Sequence, residues 1–174
     1  DPPDLAQTLV DAHDPETGRV LGDDDLVSMF LTLIAAGHET SANALTWSLY
    51  CLAAQPDRQE VLADHVRKVI GGGPVEAFHL EALSDLAHFI EETMRLLPPV
   101  PMMSRRALHS CKIGGRTIEP TALVFIPIYA IHRHKWLWSC PDAFNPERFQ
   151  PSSQATRPRC AYMPFGVGPR ICLG

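Results

Sequence analysis

The last ten residues carry the strongest chemical signal in the sequence, because they place one cysteine inside a glycine-rich loop. Gly166, Gly168 and Gly174 permit backbone conformations and close approaches to a flat group that a side chain would prevent. Arg170 lies two positions before Cys172 and supplies a fixed positive charge for an anionic group. A single thiolate in such a loop is suited to one axial bond to a haem iron.

The same loop has two simpler interpretations. A glycine-rich turn can enclose a buried cysteine that binds nothing. A loop for a phosphate or a dinucleotide also uses glycines, but the spacing here matches neither of those patterns. At the level of the residues alone, the sequence favours a ligand cysteine, and the plain turn stays open as its alternative.

Composition and charge exclude several other classes of protein. The chain has 174 residues, and its 15 Lys and Arg against 20 Asp and Glu give a net charge of −5, which is a poor match for the phosphate backbone of nucleic acid. The five cysteines are odd in number and irregular in spacing, so neither a zinc knuckle nor a disulfide scaffold is expected. Cysteines of this kind favour a reducing compartment, and we predict a cytoplasmic protein.

The sequence predicts no membrane segment within this chain. The uncharged run over residues 26–37 ends at His38 and Glu39, and it is shorter than the ~18 residues that a membrane-spanning helix requires. Neither end has the features of a natural terminus, and we expect a fragment of a longer protein.

The elements that must position the cysteine loop are mainly helical. The acidic residues 23–25 can cap a helix, and the apolar residues that follow lie nearly all round it up to residue 54, which predicts a helix buried on all sides. A second, amphipathic helix begins near Asp57 and ends at the glycines 71–73. A third spans residues 84–97 and is stopped by two prolines.

After the third helix the pattern changes to short apolar runs between tight turns. These runs predict strands over residues 105–113, 116–119 and 122–128. The fold class expected is therefore mainly α with a small β-sheet (α+β). We expect one incomplete domain, residues 1–174, made of a loop (1–22), a long helix (23–55), further helices (56–99), β strands (100–128), an irregular proline-rich segment (129–164) and the glycine loop (165–174).

Four motifs, in this order along the chain, resemble those of the cytochrome P-450 family. The Ala-Gly-His-Glu-Thr sequence at 36–40 resembles the family's oxygen-binding helix motif, and residues 92–95 resemble its Glu-x-x-Arg helix. Residues 146–149 (Pro-Glu-Arg-Phe) resemble its meander motif, and 165–174 is similar to its haem-binding loop. The resemblance implies a partial fold of this family, without the N-terminal half and without the helix after the haem loop, and a fragment that is inactive by itself.

The resemblance implies that the loop and the first strand hold haem b. Cys172 is the expected axial ligand of the iron, and Phe165 with the three loop glycines is expected to bind the cofactor. Arg170 and Arg105 are the expected partners of the haem propionates. Arg106 is equally consistent with a solvated position on an edge strand.

The resemblance also implies a proton-delivering pair, Glu39 and Thr40, in the long helix. The function would use an opened helical turn near Ala36 and Gly37 and a buried Glu39. The simpler interpretation of the threonine is that its hydroxyl bonds back to a carbonyl one turn earlier.

A third implied group is structural. Glu92, Arg95 and Arg148 are expected to form a buried network that holds the meander and the haem loop in place. The alternative is an exposed i,i+3 pair worth only ~0.2–0.5 kcal/mol. The spacing alone is unspecific, because Glu16 and Arg19 repeat it in a polar loop.

Two histidines and a cysteine, His132, His134 and Cys140, could be taken for a metal site. The tryptophans between them favour packing instead. The family has a similar histidine–arginine pair at this place, and we predict a structural role.

The function implied by the resemblance is that of a haem-thiolate monooxygenase. It would use dioxygen and two electrons, supplied from NAD(P)H through a ferredoxin or a flavoprotein reductase, to hydroxylate an apolar small molecule. The alternatives are a haem-thiolate enzyme that uses peroxide or acts as an isomerase or dehydratase, and a non-catalytic truncated remnant.

Overall fold

The computed structural model describes residues 4–174, and the chain divides into two compact units that meet between Ala42 and Asn43. In the first unit, α1 (Leu5–Val10) is capped by Asp4, whose carboxylate accepts a hydrogen bond from the Gln7 amide. This short helix lies within the segment that we predicted as loop. None of the described residues up to Ala42 is buried, so this unit has no apolar core of its own.

The long helix α2 (Asp23–Ala53) starts in the first unit and ends in the second. Three acidic residues in its first turn complement the positive end of the helix dipole. The prediction of a helix buried on all sides is wrong, since only Ser48 and Cys51 are buried. Near the C-terminal end of the helix, Cys51 is part of a core cluster of the second unit and Leu52 packs against it.

Three further helices follow in the second unit, and two of them were predicted. They are α3 (Pro56–Ile70), α4 (His79–Ala82) and α5 (Ser84–Leu96). Proline occupies the first turn of α3, where it costs no hydrogen bond, and Gly71 ends the helix in the left-handed conformation with φ 67°. Cys51, Leu62 and Phe89 bring α2, α3 and α5 together in one core cluster.

The strands form two antiparallel pairs. They are β1 (Met103–Arg106), β2 (Cys111–Ile113), β3 (Arg116–Ile118) and β4 (Leu123–Ile126), with β1 paired to β4 and β2 paired to β3. The predicted single strand 105–113 is therefore two strands. The ladder is interrupted because Ala107 exchanges hydrogen bonds with the turn at Thr121 and Ala122, after which the chain leaves the first pair.

The rest of the second unit is mostly irregular, as predicted, with three short helical turns. They are α6 (Ile128–Ile131), the 3₁₀ helix Pro146–Phe149 and α7 (Pro151–Gln154). A second core cluster, formed by Trp138, Phe149 and Ala161, lies under this segment. The predicted class, mainly α with a small β-sheet, is confirmed. Among residues 4–174, none of the helices combines the length and the apolar character needed to span a membrane.

Candidate active site

A fully buried ion pair lies at the centre of the second unit. Glu92 and Arg95 stand one turn apart on α5, and neither side chain is exposed at all. Arg95 donates from Nε to Glu92 Oε2 at 2.7 Å and from Nη2 to Glu92 Oε1 at 2.8 Å, which is the two-point geometry that guanidinium and carboxylate groups favour.

The other hydrogen-bonding groups of the pair bind backbone carbonyls and an amide that lie much later in the sequence. Arg95 donates to the carbonyls of His132 (2.8 Å), Pro141 (2.7 Å) and Ala143 (3.2 Å). The amide of Asn145 donates to Glu92 Oε1 at 2.7 Å. Burying two charges is tolerable only when such additional hydrogen bonds satisfy them. The pair therefore fastens the irregular segment 132–145 to α5.

Arg148 joins this network from the 3₁₀ helix. Its Nε lies 3.4 Å from Glu92 Oε1, close enough for an ion pair but without the alignment of a hydrogen bond. Its Nη2 donates to the Cys140 carbonyl at 2.9 Å, and its Nη1 lies 3.3 Å from Ser139 Oγ. The structure thus brings the three charged residues singled out in the sequence into one cluster.

A second cation in the same region was not singled out. The guanidinium of Arg157 lies over three aromatic rings, with centroid distances of 4.4 Å to Phe149, 4.9 Å to Trp138 and 5.7 Å to Tyr162. It also donates to the Arg148 carbonyl. Burial lowers the pKa of Arg157, and Glu91 partly opposes this shift. The only sequence signal for this arrangement is that aromatic residues accumulate here, and it does not say which arginine they surround.

His132, for which the sequence predicted a structural role, makes contacts that the sequence did not specify. Its imidazole Nε2 accepts a hydrogen bond from the Met163 amide at 2.9 Å, and its ring stacks on Tyr162 with centroids 5.3 Å apart. The side chain is fully buried. Burial lowers the pKa of His132 to about 4, and the positive charges of Arg95 and Arg133 act in the same direction.

The glycine loop is closed by its own backbone. The Cys172 amide donates to the Phe165 carbonyl at 2.9 Å, and the Ile171 amide donates to the Gly168 carbonyl at 3.0 Å. Gly166 and Gly168 have φ of 73° and 81°, a region that disfavours other residues. A Cβ on Gly166 would also lie 3.2 Å from Met103 Sδ. Cys172 is a free, exposed thiol, so the loop is not a turn around a buried cysteine.

The arginines predicted to bind propionates are exposed. Arg105 Nη1 donates to the carbonyl of its neighbour Ser104 at 2.8 Å, and Arg106 Nη1 donates to the Thr121 carbonyl at 3.2 Å. Arg170 is exposed on the loop. Within the described part of the chain, none of these three arginines has a carboxylate within ion-pairing distance. Their charges remain available to an anionic group.

The residues predicted to deliver protons lie in the first unit. The Thr40 hydroxyl donates to the Ala36 carbonyl at 2.6 Å, which is the back-bonding alternative stated above. α2 is regular through Ala36 and Gly37, so the predicted opened turn is absent. Glu39 is exposed, so the burial inferred from the sequence is wrong for the described chain.

The donor set of the loop fits a haem better than it fits a chelated metal ion. Residues 4–174 contain no cluster of three or more His, Cys, Asp or Glu side chains that could hold a metal ion. What the loop does offer is one free thiol, a buried Gly166 and exposed apolar side chains at Phe165 and Ile171. One sulfur ligand beside an apolar surface, with the exposed Arg170 two residues before it, suits a flat macrocycle with acidic substituents.

Comparison with known proteins agrees with this geometry. A sequence model of the family described as Cytochrome P-450 matches residues 1–174 of the chain. The chain belongs to the cytochrome P-450 family. Members of the family are haem-iron enzymes, generally monooxygenases, and membership implies a haem cofactor.

Individual relatives resemble this P-450 chain over almost its whole length. Cyclooctatin synthase from Streptomyces melanosporofaciens is 34% identical, in an alignment that covers 98% of this chain and 37% of the relative. Thromboxane-A synthase from Mus musculus is 35% identical and is aligned over 93% of this chain and 31% of its own length. The solved structure of retinoic acid-bound cyanobacterial CYP120A1 superposes with a TM-score of 0.91 and 32% identity, covering 98% of this chain and 39% of that one. The P-450 chain described here thus spans between about a third and two-fifths of the length of these relatives.

Proposed function

We propose that this chain is part of a haem-thiolate monooxygenase in which Cys172 is the axial ligand of the iron. The observation that carries the proposal is the free, exposed thiol of Cys172 on a loop closed by its own hydrogen bond to the Phe165 carbonyl. Haem bound through this sulfur would supply the activation of dioxygen with two electrons from a redox partner.

The glycines of the loop shape the surface against which the cofactor lies. Gly166 and Gly168 turn the backbone through conformations that other residues avoid, and Gly174 follows the ligand without a side chain. Phe165 and Ile171 offer apolar contact to the ring. Arg105 and Arg170 bind the propionates, since both guanidinium groups are exposed and have no carboxylate partner among the described residues.

The buried network keeps the thiol in place. Glu92 and Arg95 hold the backbone of residues 132–145, and Arg148 extends the network to the 3₁₀ helix. An irregular segment lacks the regular backbone hydrogen bonds of a helix or a sheet. These side-chain hydrogen bonds fix its backbone instead. Their function is to place the loop, and they take no part in the chemistry.

Glu39 and Thr40 handle protons in this proposal. The hydroxyl of Thr40 already donates to the Ala36 carbonyl at 2.6 Å, and its oxygen retains lone pairs with which it can accept a further hydrogen bond. Glu39 is exposed and can exchange protons with solvent. The substrate proposed is an apolar small molecule, and the electron donor is a ferredoxin or a flavoprotein reductase.

The test uses the intact protein and its reduced carbon-monoxide difference spectrum. A thiolate-type band that disappears in Cys172→Ser and persists in Cys160→Ser supports the ligand assignment. Cys160 is a matched control, because it is also an exposed free cysteine in the same unit. A thiolate-type band that survives Cys172→Ser would refute it.

The second candidate is a haem-thiolate enzyme that uses peroxide or acts as an isomerase or dehydratase. Two observations favour it: the helix around Thr40 shows no opened turn, and Glu39 is not enclosed. Oxygen uptake measured against NAD(P)H consumption, with a reductase present, separates the two functions. Coupled uptake of dioxygen supports the monooxygenase, and turnover that requires only peroxide supports the alternative.

A further inference from the structure

His132 lies between the buried ion pair and the chain that leads into the cysteine loop. Its backbone carbonyl accepts a hydrogen bond from Arg95 Nη1 at 2.8 Å. Its imidazole Nε2, on the other side, accepts one from the Met163 amide at 2.9 Å. The buried His132 is therefore hydrogen-bonded to the ion pair through its backbone and to the chain before the cysteine loop through its side chain.

Met163 stands at the start of the loop that carries the thiol. Its carbonyl accepts the hydrogen bond of the Gly166 amide at 3.0 Å, which forms the turn into the loop. The Phe165 carbonyl in that turn then accepts the amide of Cys172. A displacement of Met163 is transmitted to the position of the cysteine through these two backbone hydrogen bonds.

The hydrogen bond determines the protonation state that His132 must have. An amide N–H can donate only to a ring nitrogen that has a free lone pair, so Nε2 is unprotonated and the neutral ring carries its proton on Nδ1. Around the ring stand Arg95 from α5, the neighbouring Arg133 and the phenol ring of Tyr162. Both charged neighbours are cations, which disfavour a second proton on the imidazole.

We infer that His132 is a positioning residue, whose neutral imidazole fixes the Met163 amide and thereby couples the Glu92–Arg95 ion pair to the placement of the Cys172 thiol. This inference rests on the proposed function for the meaning of that placement. The hydrogen bond itself is independent of any cofactor. The property that matters is the hydrogen-bond acceptor at the position of Nε2, and not only the space that the ring fills.

Two substitutions in the intact protein separate the acceptor from the volume. His132→Gln keeps a hydrogen-bond acceptor at about the reach of Nε2, and His132→Phe keeps a ring without an acceptor. His134→Phe is the matched control, because His134 is exposed and two residues away. The measurements are peptide-resolved hydrogen exchange of residues 160–166 and the fraction of the reduced carbon-monoxide spectrum that is of thiolate type.

The expected result is that His132→Phe accelerates exchange of the Met163 segment by about fivefold to tenfold, as expected for one lost hydrogen bond. It also lowers the thiolate fraction, while His132→Gln and His134→Phe stay close to the wild type. If His132→Phe does not fold, His132→Gln decides alone: a protected segment supports the inference, and an unprotected one overturns it.

Two other results would overturn the inference. Unchanged exchange in His132→Phe would show that the residue only fills space, and equal losses in the Phe and Gln variants would show that the acceptor is not the deciding property. A wild-type protein without any thiolate-type band would refute the proposed function instead. The hydrogen-exchange comparison would still test His132 in that case.

Discussion

Removal of the Glu92 carboxylate is the most direct test of the buried network. The variant Glu92→Ala in the intact protein deletes both hydrogen bonds from Arg95, at 2.7 and 2.8 Å. It also deletes the acceptor of the Asn145 amide and the ion pair with Arg148 at 3.4 Å. One substitution therefore leaves one fully buried cation, and a second, mostly buried one, without their carboxylate partner.

The expected cost follows from what remains around Arg95. Removing one partner of a buried ion pair typically costs ~3–5 kcal/mol. Arg95 keeps three carbonyl acceptors, at His132, Pro141 and Ala143, so its charge is not stripped of all partners. We therefore expect the lower end of that range, about 3 kcal/mol. Against a typical stability of ~5–15 kcal/mol, the variant still folds but loses a large share of its margin.

The assay is urea unfolding of the intact protein, followed by measurement of bound haem. Glu16→Ala is the control, because Glu16 and Arg19 repeat the same spacing in an exposed loop. We expect Glu16→Ala to change the free energy of unfolding by less than about 0.5 kcal/mol. The double variant Glu92→Ala/Arg95→Ala should be less unstable than the sum of the single variants, because the second deletion removes a charge that the first left unpaired.

Two results would refute this reasoning. A Glu92→Ala variant within about 1 kcal/mol of the wild type, with normal haem content, would show that the pair does not hold the segment. Equal decreases in the free energy of unfolding in Glu92→Ala and Glu16→Ala would show that the spacing of the two charges matters and that burial does not.

Four further predictions concern single groups. The pKa of His132 is lowered from 6.5 to about 4, so the unfolded chain binds a proton before the folded protein does as the pH falls. This group should therefore lower the free energy of unfolding by about 2 kcal/mol between pH 7 and pH 5, as measured by urea titration, and His132→Gln should remove this contribution. Thr40→Ala should lower product formed per NAD(P)H about tenfold or more, whereas Thr32→Ala, which deletes an equivalent bond to the Ser28 carbonyl, should not. Arg157→Lys should cost ~1–2 kcal/mol in thermal unfolding through weaker stacking on three rings, and the exposed Arg159→Lys almost nothing. Gly166→Ala should lower the melting temperature more than Gly168→Ala, since both have positive φ but only Gly166 has a neighbour, Met103 Sδ, at 3.2 Å from the added Cβ.

Local signals in the sequence located the elements of the second unit well. α5 begins at Ser84 and ends one residue before the predicted end, because two prolines stop it. Gly71 ends α3 where the glycines predicted it. The error over residues 105–113 has a different origin, because the chain leaves the first strand through hydrogen bonds to residues 121 and 122, which no local pattern in 105–113 contains.

The sequence located the site less completely. The pattern identified Glu92, Arg95 and Arg148 through a resemblance, but burial of an ion pair depends on distant backbone and cannot be read from an i,i+3 spacing. At Glu39 the sequence predicted burial where there is none. The apolar helix around this residue predicted a buried side chain, but Glu39 is exposed. The sequence did not predict the three aromatic rings around the Arg157 guanidinium, nor the hydrogen bond that His132 Nε2 accepts from the Met163 amide. Both are three-dimensional contacts that have no fixed spacing in the sequence.

The long sequence separations within the Glu92–Arg95 network also have a consequence for biosynthesis. The acceptors of Arg95 and the amide donor to Glu92 lie 37 to 53 residues downstream. At a synthesis rate of ~5–20 residues per second, the ribosome completes α5 about 2–10 seconds before it delivers these partners. During that delay the two charges form only a solvated pair on a nascent helix, worth ~0.2–0.5 kcal/mol. Residues 132–145 can therefore lock α5 only after they have been synthesised, and the nascent chain keeps both charges in water until then.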